Sequence, residues 1–527
     1  MLMKKLIAFC WAISLSFGLL AQNNVVGYVY EDANQNDKKE RREKGVSNVA
    51  VSNGKEVVLT DSKGKYSLPI GTDNIIFVIK PSGFKVPLGE NQLPDYYYIH
   101  KPEGSPELQY KGTGPTDKLP KSLNFALYKS EEPDNFTAMI FGDPQPYNTT
   151  ELDQFSKGVV DKAKNESNIS FGISLGDLAG DDLDLHSPYV GALKKTSWHW
   201  YNVMGNHDMN YDATIDEHSD ESFERIFGPA TYSFNHANAH FIILDDILYP
   251  DPRDAEGYWA GFTKTQLVFI ENDLKHVPKD KLVVLSFHIP FLTINGNGMR
   301  DSDRQRVFDL LKDYDNVLAL SAHTHLQRHN FYTEKDGWKG RNPFHEYNAG
   351  TTSGDWYSGK INAEGVPVST MRDGTPKGYA LLHIDDNQYK IDYQVIGESK
   401  EHQIKIFNPK VVANNRGTGS GIFANFYMGD KNDLVEYKID NGPWEKMNWV
   451  EAPDPSYAAA VMEWDLMEQL EPGRRPSNPV DATHLWRGGI DTKLSVGKHT
   501  ITVRAKDMFG RTFTETSEYY VAEPVVY

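Results

Sequence analysis

Three stretches with different hydrophobic periods follow one another along the chain. Over residues 23–128 the apolar positions come in short alternating runs. Val25, Val26, Tyr28, Val29 and Tyr30 open a strand, residues 47–51 alternate apolar with polar, and residues 74–79 form a β-branched run closed by Pro81-Ser82-Gly83. The turn Asp61-Ser62-Lys63-Gly64-Lys65 feeds Tyr66-Ser67-Leu68. Short strands separated by such turns predict a small N-terminal β-sandwich, left through a loop rich in Gly, Pro and Lys at 104–121.

Over residues 134–397 the period changes. Continuous apolar runs at 137–141, 171–175, 201–204, 282–287 and 317–321 read as buried strands. Between them lie helical patterns. Thr150-Glu151-Leu152-Asp153 is a start signature followed by Phe155, Val159 and Ala163, and Thr263 to Gln266 is a capping box ahead of Leu267, Ile270 and Leu274. Residues 304–311 read as a further helix. Strands alternating with helices predict an α/β domain, a layered β-sandwich flanked by helices.

Residues 402–527 return to β. Residues 436–440 precede Asn441-Gly442, a hairpin signal, and residues 499–505 and 513–521 alternate cleanly. This predicts a C-terminal β domain of immunoglobulin or fibronectin type. Residues 454–487 are too long and too charged for a hairpin loop and read as an insert.

The N-terminus changes the compartment. Lys4 and Lys5 precede an apolar run from Leu6 to Leu20 and then Ala21-Gln22. That is the form of a cleavable signal peptide over residues 1–21, and the run falls short of the ~20 residues a spanning helix needs. The only cysteine, Cys10, sits inside it, so the mature chain has no disulfide. Export to a bacterial periplasm or beyond follows, with no transmembrane segment after cleavage. The net charge of −18 falls to −20 without Lys4 and Lys5, and no basic block breaks it. Such a surface disfavours bulk nucleic acid as a partner.

Candidate chemistry clusters at the ends of the central strands. Gly142-Asp143-Pro144-Gln145, Gly176-Asp177, Gly205-Asn206-His207-Asp208, Phe287-His288 and Ala322-His323-Thr324-His325 each follow an apolar run. Any one alone is a turn or a structural histidine. Together, in order, they bring carboxylates, imidazoles and an amide to strand C-terminal ends, where open α/β sheets place their sites. Imidazole and carboxylate ligands suit Mn, Fe or Zn without choosing among them.

The ordered set resembles the calcineurin-like metallophosphoesterases, and the flanking β domains resemble those of multidomain bacterial members. The resemblance implies two divalent or trivalent metal ions about 3.5–4 Å apart, bridged by Asp177. It implies Asp143 and His325 at the first metal, with Asn206, His288 and His323 at the second, and His207 as a non-ligand that stabilises the phosphoryl group or protonates the leaving oxygen. Two positions depart from the commonest pattern. Gln145 stands where His is usual, either as a metal ligand favouring harder cations or as a hydrogen-bond partner of a bound water. Gly180 stands where an Asp orients the histidine of Gly-Asn-His, so Asp181 or Asp182 is expected to take that role.

Trp356 and Tyr357, and Arg474, Arg475 and His484 from the insert, are candidate walls for a small-molecule or glycan phosphoester. Asp32, Asn34, Asn36, Glu40 and Glu43 fall at positions 1, 3, 5, 9 and 12 of an EF-hand-like spacing, a candidate structural Ca²⁺ loop with Asp37 in the glycine position. The expected activity is hydrolysis of a phosphomonoester or phosphodiester by a two-metal site, on a glycan, lipid-headgroup or nucleotide phosphate. The competing expectation is a catalytically weak cell-surface or periplasmic binding protein on the same scaffold.

Overall fold

The apolar runs of the central region pair into two mixed sheets. In the computed structural model, which describes residues 24–292 and 298–525, the first sheet has the order Trp200–Asn202, Ile169–Ser174, Asn135–Phe141, Gly378–Asp385, Gln388–Val395. Its first three strands are parallel, and the last two add antiparallel. The second sheet has the order Tyr232–His236, Ala239–Ile243, Leu282–Ser286, Asn316–Ser321, Phe344–Ala349, Gln327–Tyr332, parallel except for its two edges. Strands buried on both faces need no alternation, which is why they read as unbroken apolar runs. The expected leader at residues 1–21, with Cys10, and residues 295–297 of the loop after His288 lie outside the described residues. Among the described residues no helix is long and apolar enough to cross a membrane.

The sheets meet through aromatic rings. Phe171 of the first sheet lies 5.5 Å from Phe234 and 5.3 Å from Phe241 of the second, both edge-on. Register then sets the site. Phe141 pairs with Ser174, Ser174 with Asn202, and Ser286 with Leu320, so each sheet's parallel strands end level with one another.

Helices follow their caps. Thr263 accepts from the Gln266 amide at 3.2 Å while Gln266 Oε1 accepts from the Thr263 N–H at 2.7 Å, starting Lys264–Leu274. The helix expected from Thr150 is instead capped by Asn148, which accepts from the Glu151 amide at 3.0 Å. It is also interrupted, because Ser156–Val160 forms a π turn. There Gly158 lies so close to Val366 that a Cβ would stand 2.6 Å from its Cγ1.

The N-terminal region forms two four-stranded sheets built around Asn24–Glu31 and Asn74–Val78. Its apolar interior continues into the central layers, with Phe77 edge-on to Phe269 at 5.8 Å and Tyr96 against Tyr232 at 5.4 Å. The C-terminal region keeps its own core of residues such as Phe426, Trp486, Val503 and Tyr519. Strand Leu434–Ile439 turns back onto Glu445–Lys446, the hairpin that Asn441-Gly442 signals.

A cavity of about 320 Å³ separates the N-terminal sheets from the central ones and is lined by Asp216, Asp220, Glu224 and Asp245 around Lys101. Lys101 pairs with Glu221 at 2.5 Å, Glu224 at 3.0 Å and Asp73 at 3.4 Å, and Asp216, Asp220 and Asp245 have no ion pair among the described residues. Burial pushes Asp216 up to about 6 and Glu224 up to about 7, and holds Asp220 and Asp245 well above the usual carboxylate range. Acids raised on folding stabilise fully below their unfolded values near 4, and that stability is lost as pH rises through 6–7. Asp245→Asn is therefore expected to raise Tm by a few °C at pH 7.5 and to leave it nearly unchanged at pH 4.5, measured by scanning calorimetry at both.

Candidate metal centre

Five of the seven side chains expected to hold metal sit on left-handed backbone: Asp143, Gln145, Asp177, His323 and His325, at φ of 34°, 40°, 50°, 65° and 56°. Such residues cost on the order of 1–3 kcal/mol each, and their clustering marks a site over-determined by its surroundings. The backbone is pinned locally. The Gln145 N–H donates to the Asp177 carbonyl at 2.8 Å, and the His323 N–H donates to both Asp143 oxygens at 3.2 and 3.0 Å. Two glycines allow the approach. A Cβ on Gly205 would lie 2.1 Å from the Asp177 nitrogen, and one on Gly176 (φ 92°) 2.5 Å from His288 Nδ1.

At the centre is His288, fully buried. Its Nδ1 lies 2.8 Å from the Leu175 carbonyl and its Nε2 points into the cluster; burial disfavours its charge, but the Asp177 and Asp143 carboxylates outweigh burial and lift the ring to about 10. That nitrogen faces Asn206 Oδ1 at 3.1 Å, His323 Nδ1 at 3.2 Å and Asp177 Oδ1 at 3.3 Å. Asp143 stands 3.6 Å from the same ring. Asp177, His288 and His323 are also the one group of acids and histidines among the described residues whose ligand atoms all lie within 4.8 Å of one another. Two carboxylates, an amide oxygen and two imidazoles gathered this closely call for positive charge among them, which a proton on His288 or a bound cation supplies.

Two more atoms fit that reading. Gln145 Oε1 and His325 Nδ1 are buried with no partner among the described residues. The Gln145 amide directs Nε2 to Asp177 Oδ2 at 3.2 Å, and rotating it by half a turn would set two oxygens face to face, an arrangement a cation would stabilise. Burial drives His323 and His325 down to about 3, so both rings are neutral and offer lone pairs. The residues present therefore fit bound metal: Asp177, His288 and His323 converge, Asp143, Asn206 and Gln145 adjoin them, and His325 would complete the expected set.

His207 stands beside this group. Its N–H donates to Asp177 Oδ1 at 2.9 Å, and its Nδ1 lies 2.6 Å from Asp181 Oδ1. Burial disfavours its charge, but the Asp177 and Asp181 carboxylates outweigh burial and lift it to about 9. Of the two acids expected to orient it, Asp181 does so, while Asp182 caps its own short helical turn. Tyr147 presents its ring edge-on to His207 at 5.9 Å.

Further anchors carry no motif of their own. Asp246, fully buried, accepts the N–H groups of His288 and Ile289 at 3.1 and 2.9 Å. Asp208 accepts from the amides of Leu178, Ala179 and Gly205 and lies 2.9 Å from His186 Nε2, tying the Asp177 loop to the Asn206 loop. Asp208 was visible inside Gly-Asn-His-Asp, and Asp246 had no sequence signal beyond following a strand.

The candidate substrate wall divides. Trp356 stacks on His325 at 4.1 Å. Arg474 reaches the rim because Gly473–Arg474 pairs antiparallel with Gly359–Lys360, and its Nη1 donates to the Trp356 carbonyl at 3.4 Å. Three residues grouped with them do not line the cleft. Tyr357 is buried and donates to the Pro144 carbonyl. Arg475 is held by Asp465 through a two-pronged pair at 2.6 and 2.7 Å. His484 is buried between Asn425 and Asp373, because Asp481–Gly488 is a strand of the C-terminal sheet and not part of an insert. The insert proper is the helix Pro455–Asp465 and the link that carries Arg474.

In the candidate calcium loop, Asp32 is buried and accepts from the Gln35 and Asp37 amides, both at 2.7 Å. Asp37 adopts the positive φ of 59° that a glycine would supply. Asn34 and Asn36 turn their amides to Glu40 at 3.3 Å, and Glu43 accepts from the Glu40 N–H at 2.7 Å. The loop's members thus bond one another, except that Glu43 Oε1 is buried with no partner among the described residues.

Three family models match the chain: the N terminal of calcineurin-like phosphoesterase over residues 33–113, calcineurin-like phosphoesterase over 136–327, and the C terminal of calcineurin-like phosphoesterase over 346–513. No curated protein matches. Among solved structures, purple acid phosphatase PPD1 from yellow lupin (Lupinus luteus) seeds aligns at 13% identity and a TM-score of 0.33, covering 66% of this chain and 67% of its own. GAP50, the anchor in the inner membrane complex of Plasmodium, aligns at 16% identity and a TM-score of 0.32, covering 49% of this chain and 84% of its own.

Proposed function

The chain belongs to the calcineurin-like phosphoesterases, and from that premise we propose that it hydrolyses an extracytoplasmic phosphomonoester or phosphodiester on a glycan, lipid headgroup or nucleotide. The observation that carries the reading is the convergence of Asp177, Asn206 and His323 within 3.3 Å of His288 Nε2. Bound metal ions, Mn, Fe or Zn, supply charge for the phosphoryl oxygens and a nucleophile at neutral pH. The protein's own part is placement. Asp177, shared between the Gln145 and His288 sides, neutralises both halves of the site, and the strained loops fix the ligands before substrate arrives. His207, protonated and steadied by Asp181, donates a proton to the departing oxygen. Arg474, which has no ion-pair partner among the described residues, meets a second anionic group of the substrate.

Hydrolysis of an aryl phosphate and of its diester, with Mn²⁺ supplied, tests the reading. Turnover of at least one, abolished by chelation and restored by metal, is expected. No turnover of either by metal-loaded protein would instead favour a binding protein on this scaffold. Arg474→Ala is expected to raise KM about tenfold or more for substrates with a second acidic group, and to leave KM for the plain aryl phosphate unchanged.

A further inference from the structure

At the opposite end of the metal-bearing strands lies a cavity of about 620 Å³. Its wall is shared between the N-terminal region, through Lys80 and Lys85, and the central sheet, through Trp198, His199, Tyr201 and His236. Ile169–Ser174 runs from this cavity towards the metal centre, so a strand of six residues, roughly 15–20 Å, separates the two.

The wall sets three lysines, Lys80, Lys85 and Lys194, against two acids, Glu131 and Glu132, and adds several donors that have no acceptor among the described residues. The Tyr201 side chain is 3% exposed, and its hydroxyl has no partner among the described residues. The indole Nε1 of Trp198, which can only donate, is unpartnered, as is His236 Nε2. Neither ring nitrogen of His199 has a partner among the described residues; the ring is stacked on Phe171 at 6.2 Å. Lys80 is committed to Glu132 at 2.6 Å and to the Asn235 carbonyl at 2.6 Å, whereas Lys85 has no ion pair among the described residues. Burial first, and then Lys80, push His199 down to about 3, and burial outweighs the neighbouring Glu132 to hold His236 down to about 4, so both rings are neutral. With Lys80 paired to Glu132, the lining keeps an excess of one positive charge, on a chain of net charge −18.

We propose that this cavity is a second binding site, separate from the metal centre, for a small ligand bearing an oxyanion such as a phosphate or carboxylate group. Tyr201, Trp198 and His199 donate to the oxyanion, Lys85 supplies the countercharge, and the volume leaves room for an organic body beyond it. Because the wall is shared, the N-terminal region has a binding role in addition to a structural one.

Titration calorimetry with inorganic phosphate, on full-length protein stripped of metal by chelation, tests this. A saturable isotherm is expected, weakened about tenfold or more by Lys85→Glu and by Tyr201→Phe, which keeps the ring. Metal-loaded Lys85→Glu should turn over the aryl phosphate as the parent protein does, since Lys85 lies outside the catalytic cleft. Absence of any isotherm in the parent protein would overturn the assignment. So would an isotherm that both variants leave untouched, the result if phosphate occupies only the stripped metal centre.

Discussion

Asp177→Asn is expected to cost on the order of 10³ in kcat or more and to strip metal from the purified protein, while the chain stays folded. Asn keeps an oxygen that accepts the His207 N–H, now at 2.9 Å to Asp177 Oδ1, so the loop retains its anchor. What it loses is the negative charge facing His288 Nε2 at 3.3 Å and Gln145 at 3.2 Å. A dinuclear site supplies several kcal/mol of transition-state stabilisation, and each 1.36 kcal/mol is tenfold in rate. Metal content by elemental analysis should fall from two per chain to one or none. Adding metal to the parent should raise Tm, and adding it to the variant should do so much less. Full metal content together with full activity in Asp177→Asn would sink the bridging role.

That experiment rests on a residue legible in the sequence, and the reason is physical. Asp143, Asp177, Asn206, His288, His323 and His325 each end an apolar run, and parallel strands in register bring such ends to one edge. What was not legible has physical causes too. Left-handed backbone at Asp143 or His325 leaves no mark in sequence when the residue is not glycine. Asp246 acts through backbone amides, which have no residue code. His484 was misplaced because the charged stretch before it hid the alternation of Asp481–Gly488, whose buried and exposed positions declare a strand only once its partners are known. The π turn at Ser156–Val160 answers the close approach of Val366, which is 208 residues away in sequence, and no helical period could announce it.

The second large effect concerns His207 and its partner. His207→Asn is expected to lower kcat for an aryl or alkyl phosphate by roughly 10²–10⁴ while metal content stays intact, because the side chain touches no ligand atom and the backbone N–H that binds Asp177 is kept. The loss should be largest for a poor leaving group such as an alkyl alcohol, and smallest for nitrophenolate, which departs without a proton. Asp181→Asn separates positioning from proton transfer. Asp181 is half exposed and meets no candidate ligand, so its removal frees the imidazole, now held at 2.6 Å, without emptying the site. A loss of about 10–100-fold, with the same dependence on leaving group but KM unchanged, is the expected pattern. Equal losses for nitrophenyl and alkyl phosphates in His207→Asn would show that this histidine stabilises the phosphoryl group instead of protonating the leaving oxygen.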